Sequence, residues 1–462
     1  MNTRIALFAV FASMSCCVHA DDAVLKIESD GVQEVTAAVQ AAVDKVSSSG
    51  GGRLTVPAGE YVVMALKLKS GVELHLEEGA KLLSVTNPVA YAKARRYGNA
   101  TVLVLDQRNV SITGPGTIDG RGGSPLSRIS PDTWYVLRVD GSKNILIEDV
   151  TLLGSSAWTC KLTKNDGVTV RRVKIHGHAY YCNDGIDINS RNVLVEDCDI
   201  DAEDDAIVLK TLTPDFPVEN VTVRRCRLAS NSSHIKFGTE TCDAFRNIRI
   251  YDCSCACRTP SRTIKPHDAP GEEKGVRTHA ISGIEVSVVD GGSIENVVIS
   301  NIVMGAGMNT PVFVRLGRRK ESMIKGGTFI RDVLITDVRM TEPATSAVAC
   351  SITGVEGLRP TGIVLRNMDL LFPGNGTAAM AADLNVREVP RNFPMPTMFK
   401  KALPAYGIYM RHVDGVRLEN VKLRYVGNKE ARPAIVADDA TFTADDRCEF
   451  KPPADGSPAV RK

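Results

Sequence analysis

The sequence predicts an all-β protein, a single-stranded right-handed parallel β-helix with an N-terminal capping α-helix. Three observations lead to this fold class. A short segment of alternating apolar residues recurs along the chain, its copies stay in phase, and no helix long enough for a strand–helix–strand crossover separates them. Stacked coils share one continuous core, so the 462 residues are expected to form one domain rather than several.

The repeated segment starts with a turn-forming residue and continues with a short apolar run. Clear copies and then weaker copies begin at Asn109, Asn144, Gly167, Asn192, Asn220, Asn247 and Asn296, and at Asp332, Gly362 and Gly415. The wider spacing of the later copies predicts inserted loops. Successive side chains of a strand point to opposite faces, so equivalent positions of the copies should form buried columns.

Two of these columns can be named from the sequence. They are an aliphatic column and a cysteine column: Val195, Val223 and Ile250, and Cys198, Cys226 and Cys253. In a buried column a free cysteine packs as a small apolar side chain. Disulfide bonding is the alternative, because an exported protein can oxidise its thiols. Zinc binding is disfavoured because the cysteines follow strand spacing and not the CxxC pattern.

The N-terminus predicts a signal peptide over residues 1–20. Arg4 precedes the apolar segment Ile5–Ala12, and Val18-His19-Ala20 fits a cleavage site. We therefore expect a secreted or periplasmic protein that begins near Asp21. A core helix, or a lipoprotein anchored through a cysteine near this site, is the alternative. No later stretch is apolar for long enough to span a membrane.

The remaining chain divides into a β-helix domain, 21–425, and a C-terminal tail, 426–462, expected to be irregular. Val35, Val39, Val43 and Val46 lie on one face of a predicted helix after Asp30, which would cover the open end of the first coil. A net charge of +2 gives no indication of nucleic-acid binding. We expect a monomer.

Acidic residues recur at the same place in consecutive coils. Asp184 lies in one coil, Asp204 and Asp205 follow about one coil later, and His234 follows in the next. Stacked coils would bring these side chains into one patch. Carboxyl groups this close repel one another and raise each other's pKa, which an acid–base mechanism of glycoside hydrolysis uses. The nearby Asp187 either belongs to this acidic patch or simply forms a turn, because aspartate is common in turns.

Several short motifs of this chain resemble glycoside hydrolase family 28, the polygalacturonase family with the pectin-lyase-like β-helix. They are, in chain order, the glycine-rich entry from Gly50 to Tyr61, Gly114-Pro-Gly-Thr-Ile-Asp-Gly120, Cys182-Asn-Asp-Gly185, and Asp204-Asp205 with the strand to Lys210. The resemblance covers roughly residues 30–425 and rests on the order of the motifs rather than on any one of them.

The resemblance implies an inverting hydrolase of a pectin-like or other uronate-containing polysaccharide. It implies that Asp204 is the general acid, and that Asp184 and Asp205 hold the nucleophilic water. No cofactor and no metal are predicted. A polysaccharide lyase or uronate epimerase on the same fold, and a non-catalytic glycan-binding β-helix, are the alternatives.

Two departures from the family concern binding of the substrate. His234 lies two residues later than the family's histidine, whose place Ser232 takes, so His234 is either a site residue or a surface histidine. The family's Arg-Ile-Lys carboxylate clamp is replaced by Glu285 and Ser287 around an apolar residue. The candidates for replacing that clamp are Lys210, Lys236, Arg262, Lys265 and Arg315.

Three further residues are considered for substrate contact. Tyr181 directly precedes the first acidic motif, and its ring is suited to stacking on a sugar. Glu240 follows the His234 segment in the same coil. Trp158 is expected to pack in the wall of the β-helix instead.

Overall fold

The computed structural model describes residues 22–86, 98–122, 134–179, 182–260, 279–320, 323, 327–345 and 349–462. Over these residues the chain forms 32 strands and every pairing between them is parallel, apart from one isolated bridge. Two α-helices, α1 (Thr36–Ser48) and α2 (Ala378–Ala382), and a 3₁₀ helix (Pro396–Phe399) complete the described secondary structure.

The strands in chain order are short in the first coils and longer in the later ones, where one strand bends from one face of the coil to the next. They are β1 (Ala23–Val24), β2 (Gly52–Val56), β3 (Gly59–Val63), β4 (Leu66–Leu68), β5 (Val72–Leu76), β6 (Ala80–Ser84), β7 (Ala100–Leu105), β8 (Arg108–Thr113), β9 (Thr117–Asp119), β10 (Tyr135–Asp140), β11 (Lys143–Glu148), β12 (Thr151–Leu153), β13 (Cys160–Arg171), β14 (Lys174–Gly177), β15 (Ile186–Glu196), β16 (Asp199–Ala202), β17 (Ile207–Thr211), β18 (Val218–Arg224), β19 (Arg227–Ser230), β20 (Ser233–Thr241), β21 (Ala244–Ala256), β22 (Ala280–Val288), β23 (Ser293–Met304), β24 (Met308–Leu316), β25 (Phe329–Ile330), β26 (Val333–Met340), β27 (Cys350–Thr353), β28 (Ile363–Phe372), β29 (Ile408–Tyr425), β30 (Ile435–Ala444), β31 (Glu449–Phe450) and β32 (Val460–Arg461).

The pairings define three parallel stacks around one core. Sheet 1 contains β2, β5, β8 and β11 and continues through β18 to β26. Sheet 2 contains β6, β9, β12, β14, β16 and β19. Sheet 3 contains β7, β10, β17, β20, β22, β24 and β27. The prediction of a parallel β-helix is confirmed.

Asparagines at the repeat starts make the turn into each strand of sheet 1. Asn192, Asn220 and Asn247 have φ angles of 55°, 55° and 57°. Asparagine tolerates this left-handed conformation better than most side chains. Their amides also form a ladder, because Asn220 Nδ2 donates to Asn192 Oδ1 at 2.9 Å and Asn247 Nδ2 donates to Asn220 Oδ1 at 3.0 Å.

The predicted columns are present and buried. In the aliphatic column, Val195 pairs with Val223 and Val223 pairs with Ile250. The cysteines of the second column are at most 3% exposed. All the described cysteines are free thiols, which excludes the disulfide alternative for this column.

The N-terminal end is closed as predicted, although the helix begins later than expected. Helix α1 starts at Thr36, buries Val39, Val43 and Val46 against the first coils, and is followed by β2. Residues 1–20, with the predicted signal peptide, lie outside the described residues. Within the described part of the chain, no helix has the length and apolarity needed to cross a membrane.

The C-terminal segment differs from the irregular tail expected for residues 426–462. Strand β30 continues the stack, with Ile435 paired to Ile408 and Ala437 paired to Met410, and β31 and β32 follow. The apolar run 434–437 extends the core. The abundance of charged residues in this segment, which led to the expectation, reflects the outward-facing positions of the last coils.

Candidate active site

The acidic motifs meet where the chain turns from sheet 2 into sheet 3. Asp184 precedes β15, and Asp204 and Asp205 lie in the bend between β16 and β17. The bend is what allows two consecutive aspartates to face the same place, because a regular strand would direct them to opposite faces.

Three carboxylates converge in this turn. One oxygen from each of Asp184, Asp204 and Asp205 lies within 4.8 Å of the others. Asp184 and Asp205 are almost fully buried, at 2% and 4% exposure, whereas Asp204 is only partly buried. Asp204 is therefore the member of the group that a substrate reaches most directly.

The carboxyl groups of an inverting pair usually lie roughly 6.5–9.5 Å apart, whereas the nearest oxygens of this cluster lie within 4.8 Å of one another. The distance in this structure refers to single oxygens, whereas the range for inverting enzymes refers to whole carboxyl groups.

Lys210 compensates the charge of the first motif. Strand β17 presents its Nζ atom 3.1 Å from Asp184 Oδ2 and 2.9 Å from Asp187 Oδ1. The same ammonium group lies 3.7 Å from the centroid of the Trp158 ring, which gives a cation–π contact. Trp158 is partly buried in the wall, as expected, and also supports this lysine.

Lys236 compensates the charge of the second motif. It lies on β20, where its Nζ donates a 2.9 Å hydrogen bond to Asp205 Oδ2. The backbone nitrogen of Ser233 donates to the other oxygen of Asp205 at 3.1 Å, and the Ser232 side chain also bonds to this carboxylate.

The two buried aspartates have opposite pKa shifts. Burial raises the pKa of Asp184 well above its usual range, and the attraction of Lys210 only partly offsets this. Burial acts in the same direction on Asp205, but Lys236 outweighs it and lowers the pKa of Asp205. Asp205 is thus held as a carboxylate, whereas Asp184 tends to keep a proton.

Glu285 adds a buried carboxyl group next to Lys236 in the register of sheet 3. Its oxygens accept hydrogen bonds of 3.2 Å from the hydroxyls of Ser233 and Ser287. Burial raises the pKa of Glu285 to about 7, although Lys236 acts in the opposite direction. The place of the family's basic clamp is therefore taken by a carboxyl group that is partly protonated near neutral pH.

The structure places the other predicted site residues differently. His234 is fully buried, and its Nδ1 lies 3.2 Å from the Ser282 carbonyl oxygen, so the alternative of a surface histidine is wrong. Its role in the site stays a prediction. Glu240 is partly exposed, 3.9 Å from Lys210 Nζ and 3.9 Å from a nitrogen of Arg319.

Arg315 is directed into the wall. Its guanidinium donates to the carbonyl oxygens of Gly354 at 2.8 Å and Val389 at 2.9 Å, and only 3% of the residue is exposed. The guanidinium thus links two main-chain segments, and this geometry does not favour the predicted substrate contact. Tyr181, Arg262 and Lys265 lie outside the described residues.

Two members of the site were not among the predicted site residues: Asp187, for which a turn was the alternative, and Arg319. Asp187 shares Lys210 with Asp184, and burial raises its pKa to about 6. The available signal was its position three residues after Asp184 at the start of an apolar strand. Arg319, which lies near Glu240 and pairs with Asp290, carried no recognisable signal in the sequence.

The fold and the site together define a parallel β-helix with a carboxylate centre at the edge of sheet 3. A family model described as glycosyl hydrolases family 28 matches residues 47–232. This segment includes Asp184, Asp204, Asp205 and Lys210. The matched segment is therefore similar to glycoside hydrolase family 28, in agreement with its motifs.

Two curated relatives support this assignment. A probable polygalacturonase of Vitis vinifera is 29% identical over 274 residues, which cover 52% of this chain and 56% of that protein. An endo-polygalacturonase of Pectobacterium carotovorum subsp. carotovorum is 25% identical over 284 residues, 55% of this chain and 69% of that protein. The match thus spans little more than half the length of the grapevine relative.

Among solved structures, the family 28 exopolygalacturonase of Yersinia enterocolitica has a similar fold. The TM-score is 0.60 with 16% sequence identity, and the match covers 96% of this chain and 78% of that chain. At this identity the likeness concerns the fold alone, and it extends over nearly the whole β-helix.

Proposed function

We propose that this protein is a glycoside hydrolase that cleaves glycosidic bonds in a pectin-like or other uronate-containing polysaccharide. The observation that carries the proposal is the convergence of Asp184, Asp204 and Asp205 within 4.8 Å beside the buried ammonium groups of Lys210 and Lys236. The family match over residues 47–232 and the polygalacturonase relatives support the reaction type.

The roles of the aspartates follow from access and charge. Asp204, the most accessible of the three, protonates the glycosidic oxygen as general acid. Asp205, whose pKa is lowered by Lys236, accepts a proton from the attacking water. Asp184, whose pKa is raised, orients that water by hydrogen bonding. The attack takes place on the face opposite the leaving group, so the anomeric configuration inverts.

More carboxyl groups than ammonium groups face this site, which favours retention of a proton within the cluster. Lys210 is shared by Asp184 and Asp187, and Lys236 lies between Asp205 and Glu285. Two ammonium groups cannot neutralise all of these carboxylates once Asp204 is added. A proton is therefore retained among them, because each added negative charge raises the pKa of its neighbours.

The replacement of the family's basic clamp by Glu285 and Ser287 should change which sugar the adjoining subsite binds. Glu285 attracts no carboxylate, and Ser233 and Ser287 hold its oxygens. We expect the adjoining subsite to accept a sugar that lacks a free carboxylate, either neutral or esterified. Lys210, Lys236, Glu240 and Tyr181 remain proposed substrate-binding residues.

Export and a monomeric state also belong to this proposal. The signal-peptide pattern of residues 1–20 supports a secreted or periplasmic location. N-terminal sequencing of the protein from its native host should find a chain that begins near Asp21. A retained Met1 on a cytoplasmic protein would contradict it.

The reaction is tested by measuring reducing ends released from unesterified polygalacturonate, methyl-esterified pectin and rhamnogalacturonan. We expect hydrolysis of at least one of these, and no increase in ultraviolet absorbance. Absorbance from a conjugated double bond would instead show a lyase. Unmodified polygalacturonate as clearly the best substrate would contradict the assignment of Glu285, without affecting that of the aspartates.

A further inference from the structure

A second cluster of polar side chains lies on sheet 2, one strand before the catalytic bend. It consists of His176 and His178 around β14 and Asp201 on β16, and one ligand atom of each lies within 4.8 Å of the others. His176 and Asp201 are paired in the register of the two strands. The hydrolytic mechanism makes no use of these residues.

The two imidazoles face the two oxygens of one carboxylate. His178 Nε2 lies 2.9 Å from Asp201 Oδ1, and His176 Nδ1 lies 3.8 Å from Asp201 Oδ2. Tetrahedral zinc with ligand distances near 2.0–2.1 Å separates its ligand atoms by about 3.3–3.5 Å. The observed spacings lie on either side of that value, and one ligand atom of each of the three residues lies within 4.8 Å of the others.

An independent observation concerns the second nitrogen of His178. Its Nδ1 lies 3.3 Å from Oε2 of Glu203, a carboxylate that is fully buried. Asn231 Nδ2 donates to the same Glu203 oxygen at 3.2 Å. A histidine that binds a metal usually donates its other N–H to a carboxylate, which fixes the ring and raises its basicity. His178 thus has a carboxylate on each side of its ring, Asp201 facing Nε2 and Glu203 facing Nδ1.

The neighbouring residues orient the cluster and leave one side of it exposed. Thr259 Oγ1 donates to Asp201 Oδ2 at 2.6 Å, which orients this carboxylate. The nearby guanidinium of Arg258 is directed to Asp199, with a nitrogen–oxygen distance of 2.6 Å. The His176 side chain is 54% exposed, so one side of the cluster is open to solvent.

We propose that His176, His178 and Asp201 form a binding site for a divalent transition metal of the zinc class, with Glu203 as the supporting carboxylate and a solvent-facing open position. Two imidazole nitrogens and one carboxylate oxygen form a donor set that suits zinc and its first-row neighbours better than calcium or magnesium, which prefer oxygen ligands. The proposal rests on this cluster alone and is independent of the proposed hydrolysis.

The test is calorimetric titration of ZnCl₂ into the tag-free, chelator-treated full chain. We expect one zinc ion per chain. His176→Ala and Asp201→Asn should each reduce the affinity at least about tenfold, and Glu203→Gln should reduce it about 10- to 100-fold. Bound Co²⁺ should show the visible absorption of a tetrahedral or five-coordinate site, and His176→Ala should lose it.

Two control variants separate this site from other zinc-binding groups. His75→Ala removes a histidine that contacts Thr113 on another coil and should leave the zinc affinity unchanged. Asp204→Asn should also leave it unchanged, because the three catalytic aspartates form a different cluster. His176 is exposed, so its replacement keeps the core intact even if Glu203→Gln fails to fold. Absence of zinc binding by the wild type, or equal affinity in His176→Ala, would overturn the proposal.

Discussion

The Nζ atom of Lys236 lies 2.9 Å from Oδ2 of Asp205, and both side chains are almost completely buried. This ion pair links the second acidic motif to the next coil of sheet 3. It lowers the pKa of Asp205 against the opposite effect of burial. The availability of a base in the site therefore depends on a residue that need not touch the substrate.

Replacement of Lys236 by Met should move the acidic limb of the pH profile of kcat/KM to higher pH. Asp205 acts as a carboxylate, and without the ammonium group its pKa rises, so a larger fraction is protonated at acidic pH. Removal of one partner of a buried pair should also lower the free energy of unfolding by about 3–5 kcal/mol. Lys164→Met, which removes an exposed pair with Asp215, is the control and should change neither quantity. An unchanged acidic limb would show that Lys236 does not set the pKa of Asp205.

The stability of Glu285→Gln relative to the wild type should increase as the pH rises. The folded-state pKa of about 7 exceeds the ordinary value of 4.5, so between these values the native state binds more protons than the unfolded state. Glu285 therefore reduces stability progressively as the pH rises through this window, by at most about 3 kcal/mol. Thermal unfolding of both proteins at about pH 5 and about pH 8 measures this, and the stability difference should favour the variant more at the higher pH. A difference that does not vary with pH would contradict the raised pKa.

The turn asparagines give a prediction about the fold. Asn220→Ala should lower the stability by about 1–2 kcal/mol more than Asn220→Gly. Both variants lose the amide ladder, but only alanine pays the steric cost of a φ angle of 55°. Denaturant unfolding of the pair isolates the backbone contribution. Equal stability of the two variants would argue against the left-handed turn.

The β-helix register was predictable because it depends on a local rule. Alternation of apolar residues, repeated in phase, predicts that Val195, Val223 and Ile250 lie in one column. The convergence of Asp184 with Asp204 and Asp205 followed from the same spacing.

Ile250→Ala, in the middle of this buried column, should lower the free energy of unfolding by about 2–5 kcal/mol. Thr222→Ala, on the outward face of the adjoining strand, should cost much less.

Other features depended on contacts that the local pattern does not contain. Arg315 occupies an outward-facing position, but the main chain at Val389, far along the sequence, covers it and accepts its hydrogen bond. The cluster of His176, His178 and Asp201 becomes visible only when the register of β14 and β16 is known. The strands after residue 426 were missed because outward-facing charges obscured a short apolar run.

The stereochemical course of the reaction tests the arrangement of the aspartates. We predict that proton NMR of the first products shows an inverted anomeric configuration, because Asp205 activates water rather than attacking the sugar itself. The spectra must be recorded before mutarotation equilibrates the products. A retained configuration would assign one of the three aspartates as a nucleophile instead.

The measurement that tests the central claim most directly is the rate of reducing-end release by Asp204→Asn compared with the wild type, on the best substrate. We predict a loss of about 100- to 10,000-fold, which is the usual contribution of general acid catalysis. The circular dichroism spectrum and the thermal midpoint should stay close to those of the wild type, because Asp204 is only partly buried. A folded Asp204→Asn protein with near-wild-type activity would contradict the assignment of this carboxylate cluster as the catalytic site.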